Sequence, residues 1–354
     1  MKIKPLNTHN LGTGFLYFYV HFVTEVACFF ALFRYVEDPP AMWLLFFAYD
    51  MLAFIPQGIF GYVCDRFKKV SLGIAGLVLL AAALLLEQLG NVTFLSMVIL
   101  CIGNAFTHVD GAEVTLRTSN GSLSHSAIFV AGGSFGVVTG QLLASAGAPY
   151  WIVYFLIATA VPFVILGHMY LGKDPGEDRA SCRAFRYSNP NVGKALIVVL
   201  SVAVVVVRGY MAYGIPISWK KTTLQSIILF TFMGVGKALG GVLADVFGVK
   251  KVALSSILVA LPFLLLGDRH MFVSLIGVMF FSMTMAVTLA VLVSVLPNAP
   301  GLAFGFTTIG LFLGTVPVFF FKITSLAANC IMLSVLTAVC VVCFAVSIRK
   351  DEIG

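Results

Sequence analysis

Eight ionisable side chains interrupt long apolar runs in this 354-residue chain: His21, Glu25, Asp50, His108, Asp110, Glu113, Arg208 and Lys237. A charge near the centre of a bilayer costs about 2.5 to 3.5 kcal/mol even on lenient scales, so such groups persist where they have a partner or a wet cavity. Every acidic one falls in the N-terminal half and both cations fall in the C-terminal half. The division suggests a wall that takes up and releases protons, set against a wall suited to an anionic group. Glu25, Asp50, Asp110 and Glu113 are the candidates for proton exchange. His21, His108, Arg208, Tyr210, Tyr213 and Lys237 are the candidates for contact with a solute.

Each candidate has a plainer alternative. His21 and Glu25 are one helical turn apart and share a face, so they form either a proton site or an intrahelical pair. Glu113 and Arg117 have the same spacing and suit an ion pair at a helix end. Arg208 precedes Gly209, Tyr210, Tyr213, Gly214 and Pro216, a segment that kinks or ends its helix and exposes polar atoms. Lys237 sits among Gly234, Gly236, Gly240 and Gly241, which leave room for a cavity, though a lysine can also snorkel to the interface. At about 1.5 Å per residue, Glu25, Asp50 and Arg208 share a middle-to-outer layer, and Lys237 and Asp110 an inner one. Cross-half pairing is therefore expected of Glu25 and Asp50 with Arg208, and of the fourth-span carboxylates with Lys237. His108 lies on a different face from Glu113, so no metal shared by those two is expected. His21, Glu25, His108 and Asp110 together leave a divalent-cation path open as a further alternative. No G-x-S-x-G or H-E-x-x-H motif occurs, and neither an enzyme nor a cofactor is expected.

The elements that must hold these residues are membrane helices. Hydrophobic residues make up 60% of the chain and charged ones 10%, too little polar surface for a water-soluble globule. Spanning segments need about 20 apolar residues each and must satisfy their own backbone, which selects helices. Twelve spans are predicted, at approximately 13–34, 43–63, 70–87, 93–116, 124–146, 150–171, 194–215, 223–244, 252–267, 271–296, 302–321 and 325–348, the ninth being short. The domains are 1–172, a linker at 173–193, and 194–354. Most cations, among them Arg66, Lys69, Arg117, Arg183, Arg186, Lys250 and Arg349, fall on the linker's side. Arg34, Lys220, Lys221, Arg269 and Lys322 fall on the other, which predicts cytoplasmic termini. The first span carries His21 and Glu25 and is no cleavable signal. Seven cysteines give no disulfide framework. The sequon at Asn91 to Thr93 lies in too short a loop to be a good acceptor, and a bacterial inner membrane is the expected location. The +7 net charge is read as topology, with no nucleic acid among the partners, and the chain is expected to act as a monomer.

One unit is written twice. Gly61-Tyr62-Val63-Cys64-Asp65-Arg66-Phe67-Lys68-Lys69 recurs as Gly241-Val242-Leu243-Ala244-Asp245-Val246-Phe247-Gly248-Val249-Lys250-Lys251, with both glycines and both aspartates 180 positions apart. These turns resemble motif A of the major facilitator superfamily. Phe67-Lys68 departs from its usual glycine and Val246 from its usual basic residue. A second likeness, Ala105 to Glu113 followed by Gly132, Gly133, Gly136 and Gly140, looks like the F-H-P-E and G-G-x-x-G pattern of fosmidomycin-resistance-type drug exporters. Val109 replaces its proline, and Gln141 stands where another proline is usual. The superfamily resemblance implies an all-α membrane protein with two pseudo-symmetric six-helix bundles. It also implies a gate built on Gly61, Asp65, Arg66, Lys69, Arg117, Gly241, Asp245 and Lys250. The expected activity is proton-coupled secondary transport of a small anionic or zwitterionic organic solute by alternating access. Export is favoured by the fifth-span glycines, and uptake symport is the alternative.

Overall fold

The computed structural model describes residues 11–35, 42–67, 71–90, 94–171, 182–321 and 325–350. Lys69, Lys322, the sequon and the linker before Cys182 lie outside the described residues.

Each apolar run is a helix, because only a helix pairs every backbone N–H and C=O within one isolated segment. In chain order these are α1 (Leu11–Tyr35), α2 (Met42–Arg66), α3 (Gly73–Gln88), α4 (Phe94–Thr118), α5 (Ser124–Ser145), α6 (Tyr150–Leu171), α7 (Lys194–Gly214), α8 (Thr223–Phe247), α9 (Val249–Leu266), α10 (Met271–Ser282), α11 (Met285–Val295), α12 (Pro300–Phe320) and α13 (Leu326–Ser347). Taking α10 and α11 as one broken span, eleven segments are long and apolar enough to cross a membrane, and α3 is a shorter apolar helix. The described residues are therefore all-α, with twelve spans in two six-span bundles.

Two expectations need correcting. The short span is the third, of 16 residues, and not the ninth, which runs 18 residues from Val249. Gly248, at φ 101°, turns the chain so sharply that it ends α8 and starts α9, drawing Lys250 and Lys251 into the helix. The tenth span, expected unbroken, breaks at Met283 and Thr284 without a glycine or proline. There Met283 N–H reaches back only to Phe280 O (3.2 Å), and Thr284 Oγ1 donates to Phe281 O (3.0 Å). The Arg208 guanidinium also donates to Phe281 O (3.3 Å), a cation at a helix C-terminus where the dipole is negative. A side chain inserted into the helical ladder is an established cause of such breaks.

Glycines set the closest helix contacts. A Cβ at Gly132, Gly136 or Gly140 of α5 would run into the α1 carbonyls of Phe18, Phe22 or Val26, so α5 lies directly on α1. The bundles meet along α2 with α12 and α5 with α8. Gly61 faces Gly301, Gly58 faces Gly305, and Gly241 faces Leu123 and Ala127. The described part of the linker ties the two bundles together at the end where it crosses, the linker end. Cys182 N–H donates to Pro297 O (2.6 Å), Tyr187 Oη to Gly121 O (2.5 Å), and Tyr187 N–H to Ser294 Oγ (3.0 Å). Large apolar side chains such as Ile59, Phe94, Trp151, Phe155 and Phe272 are exposed around the bundle, where lipid would cover them.

Candidate functional site

The polar centre of the first bundle is built by α1 and α4. The four-residue spacing of His21 and Glu25 puts both on one face of α1, and His108 meets them from α4; all three are buried. His108 Nε2 lies 2.9 Å from His21 Nε2 and 3.2 Å from Glu25 Oε1, with His21 Nε2 3.7 Å from the same oxygen. Asn104, one turn before His108, donates to Glu25 Oε1 (3.4 Å) and lies 3.0 Å from Tyr49 Oη. The two imidazoles are edge-on at 4.4 Å between centroids, and His21 also packs on Phe129. Space for this group comes from α5: a Cβ at Gly133 would strike the His21 ring, and one at Gly136 would lie 2.7 Å from Glu25 Cβ.

The other ring nitrogens fix the tautomers. His21 Nδ1 is 2.9 Å from Phe129 O, and His108 Nδ1 is 2.9 Å from Asn104 O. A carbonyl oxygen only accepts, so each Nδ1 carries a hydrogen. Each neutral ring then presents a lone pair at Nε2. Two lone pairs at 2.9 Å repel unless a positive particle lies between them, and the Glu25 carboxylate beside them offers the compensating charge.

The second bundle supplies cations. Lys237, half-buried between Gly236 and Gly240, is within electrostatic reach of both Glu25 and Arg208. Arg208 is buried and turns to its own bundle, to Phe281 O, to Met285 Sδ (3.7 Å) and over the Phe281 ring at 5.0 Å. Its Nε is without a partner among the described residues. Arg208 therefore makes no ion pair with Glu25 or Asp50 among the described residues. Asp50 is half-buried, within reach of Glu25 and of Tyr213, whose side chain is exposed; Tyr210 is half-buried. The cluster and its facing cations are thus His21, Glu25, His108, Asp50 and Lys237, with Arg208 and Tyr213 at its margin.

The carboxylates of α4 do not meet Lys237 as expected. Asp110 is two residues beyond His108 and so points the opposite way. It accepts from Tyr17 Oη (2.6 Å) and Leu72 N–H (3.1 Å) and lies 3.0 Å from His168 Nε2, all within the first bundle. Tyr17, Asn104 and His168 were not singled out by sequence. Asn104 was findable, one turn before His108, whereas the contacts of Tyr17 and His168 depend on how α1, α3 and α6 pack. With Asp110 facing away, the four-residue cation path does not assemble; among the described residues His21, Glu25 and His108 alone converge.

The repeated turns form a matched pair of interbundle caps at the linker end. Asp65 accepts from the backbone of Gly301 (3.1 Å) and Leu302 (2.8 Å), capping α12 of the opposite bundle. Asp245 accepts from Leu123 N–H (2.8 Å), Ser124 N–H (2.9 Å) and Ser122 Oγ (2.5 Å), capping α5. Arg117 ties Asp65 (3.3 Å) to Glu113 (2.9 Å). Gly61 and Gly241 are the points of closest approach beside these caps, and Lys250 Nζ donates to Ala345 O and Ile348 O at the end of α13. Arg66 is exposed.

The fold of two six-span bundles is similar to that of solved major facilitator superfamily transporters. Among solved structures the chain is similar to the E. coli fucose:proton symporter FucP, at TM-score 0.65 and 12% identity over 96% of this chain and 99% of that one. It is similar to the human organic anion transporter MFSD10 (TETRAN), at TM-score 0.63 and 12% identity over 97% and 100%. A structure of FucP in the outward conformation gives 0.60 and 14% over 94% and 97%. No protein-family model and no curated protein matches the sequence. At these identities the likeness is one of fold.

Proposed function

We propose that the protein is a proton-coupled secondary transporter that moves a small anionic or zwitterionic organic solute by alternating access. The observation that carries this reading is the buried Glu25–His21–His108 group of the first bundle lying within electrostatic reach of Lys237 of the second. A proton held between the two Nε2 atoms neutralises Glu25. Its release leaves the carboxylate charged, so the field that a solute meets at Lys237 differs between the two protonation states. Protonation and solute occupancy are thereby linked through one site.

Asp50 and Tyr213 lie further along their helices from the linker end, and Arg208 donates to Phe281 O at the break between α10 and α11. The caps of Asp65 and Asp245 close the linker end, taken as cytoplasmic, and their release opens it. Asp110 and Glu113 serve the scaffold and the caps. The direction proposed is export in exchange for protons, on the glycine-rich fifth span that resembles that of exporters; those glycines also make room for His21 and Glu25. A bacterial inner membrane is the proposed location.

The test is a thermal-shift screen of organic anions and drugs at two pH values, followed by flux of the hits in proteoliposomes. A pH gradient imposed across the vesicles should drive the solute against the proton flow. Movement with the protons would make the protein an uptake symporter, and movement indifferent to the gradient would end the coupling proposal.

A further inference from the structure

The atoms that would hold a proton also match a metal shell. Three ligand atoms, Nε2 of His21, Nε2 of His108 and a Glu25 carboxylate oxygen, converge within 4.8 Å of one another. Their separations are 2.9, 3.2 and 3.7 Å. Ligands about 2.0 to 2.2 Å from a tetrahedral zinc ion stand roughly 3.3 to 3.5 Å apart, a value these distances bracket. An ion is thus seated by ångström-scale side-chain adjustments and no backbone movement.

The surroundings are those of a ligating set. A metal-bound imidazole characteristically donates its other N–H to a carbonyl or carboxylate, which orients the ring and raises its basicity. Both rings do so here, to Phe129 O and Asn104 O, which leaves both Nε2 lone pairs aimed at one point. Asn104 orients the Glu25 oxygen and is itself placed beside Tyr49. All three ligands are buried, and the glycine at 133 keeps the His21 side clear.

We infer that His21, Glu25 and His108 form a binding site for a borderline transition-metal dication of the Zn2+ and Co2+ class. Two imidazoles and one carboxylate suit such ions, whereas Ca2+ and Mg2+ require mainly oxygen ligands, six or more in number. Three protein ligands leave a fourth position for water or for an anionic group of a solute. The inference concerns the same side chains as the proposed proton site but stands on ligand geometry and does not depend on coupling. Metal and shared proton occupy the same space and exclude each other.

The experiment uses full-length protein, purified in detergent and freed of metal with a chelator, then titrated with Co2+ while visible ligand-field absorption is followed. Expected is one Co2+ per chain with four- or five-coordinate bands, displaced by Zn2+ and not by excess Ca2+. Affinity should fall at least about tenfold in His21→Gln and in His108→Gln and be unchanged in His168→Gln. Absence of saturable binding, or binding unaltered by both substitutions, overturns the site. Should either variant elute as aggregate, X-ray absorption of Zn2+ bound to the unmodified protein decides: two imidazoles in the shell support the site, and fewer than two overturn it. Metal binding without pH-driven transport would remove the coupling proposal and leave this one standing; the reverse result would do the opposite.

Discussion

His108 and Asp110 are two residues apart and do opposite work, because a helix turns about 100° per residue and sends them to opposite faces. His108 joins the polar centre, while Asp110 ties α4 to Tyr17, Leu72 and His168. Asp110→Asn removes the charge that these donors share, a loss of about 1 to 3 kcal/mol. Its expected outcome is a lower melting temperature with the pH dependence of transport unchanged; lost pH dependence at unchanged stability would instead make Asp110 a coupling residue. A milder acid effect belongs to the turn between α9 and α10. Hydrogen bonds from Ser218 Oγ (2.5 Å) and N–H (3.1 Å) hold the Asp268 carboxyl below the usual carboxylate range. A carboxyl depressed in the fold adds stability above its unfolded value and loses it as pH falls through the folded one. The Ser218 amide should therefore stay protected near neutrality and lose protection below about pH 4, as read by hydrogen exchange at matched intrinsic rates.

Among the elements, α5 is shaped by what α1 carries. Gly133→Ala places a methyl group against the His21 ring, and Gly136→Ala places one against Phe22 O and Glu25 Cβ. Overpacking of this kind costs about 1 to 3 kcal/mol. Both variants should melt earlier, and Gly133→Ala should also weaken Co2+ binding by displacing a ligand; melting unchanged in both would contradict the close approach. The glycine stripe was legible in sequence from its spacings of three and four, as was the one-turn pairing of His21 with Glu25. Its purpose was not, since the ring that fills the space belongs to another helix. The break at Met283 and Thr284 was equally hidden. Nothing in Phe281 to Met285 breaks a helix by propensity, and the inserted guanidinium comes from a residue 73 positions earlier.

For the whole molecule the duplicated turn was the most legible feature, because its aspartates recur at a fixed interval and its pattern is short and charged. What each aspartate caps was not legible: Asp65 reaches Gly301 and Leu302, and Asp245 reaches Leu123 and Ser124, across the bundle interface. The two layers of cross-half ion pairs inferred from depth failed for a related reason. Depth along a helix follows from counting residues, but azimuth depends on packing, and Arg208 and Asp110 turn away from the partners that depth alone assigned. If the caps hold the linker end shut, Asp65→Ala with Asp245→Ala removes about 0.5 to 2 kcal/mol per cap. The closed-to-open ratio should then fall roughly tenfold per 1.4 kcal/mol lost. Cys182 reports this, since it is packed beneath Pro297 and burial pushes its thiol up to about 12. With Cys182 as the sole cysteine, maleimide labelling should be slow in the parent and faster by about tenfold or more in the double variant; equal rates would show that the caps do not gate.

The most direct measurement compares two modes of solute movement in proteoliposomes for the parent protein and Glu25→Gln. Counterflow exchange needs only binding and alternating access, whereas uphill movement driven by a pH gradient also needs a proton to be carried. With Glu25 as the counter-charge of the shared proton, Glu25→Gln should retain counterflow and lose gradient-driven movement. A Glu25→Gln protein that still concentrates solute on a pH gradient at the parent's rate would contradict the assignment of the α1–α4 cluster as the coupling site.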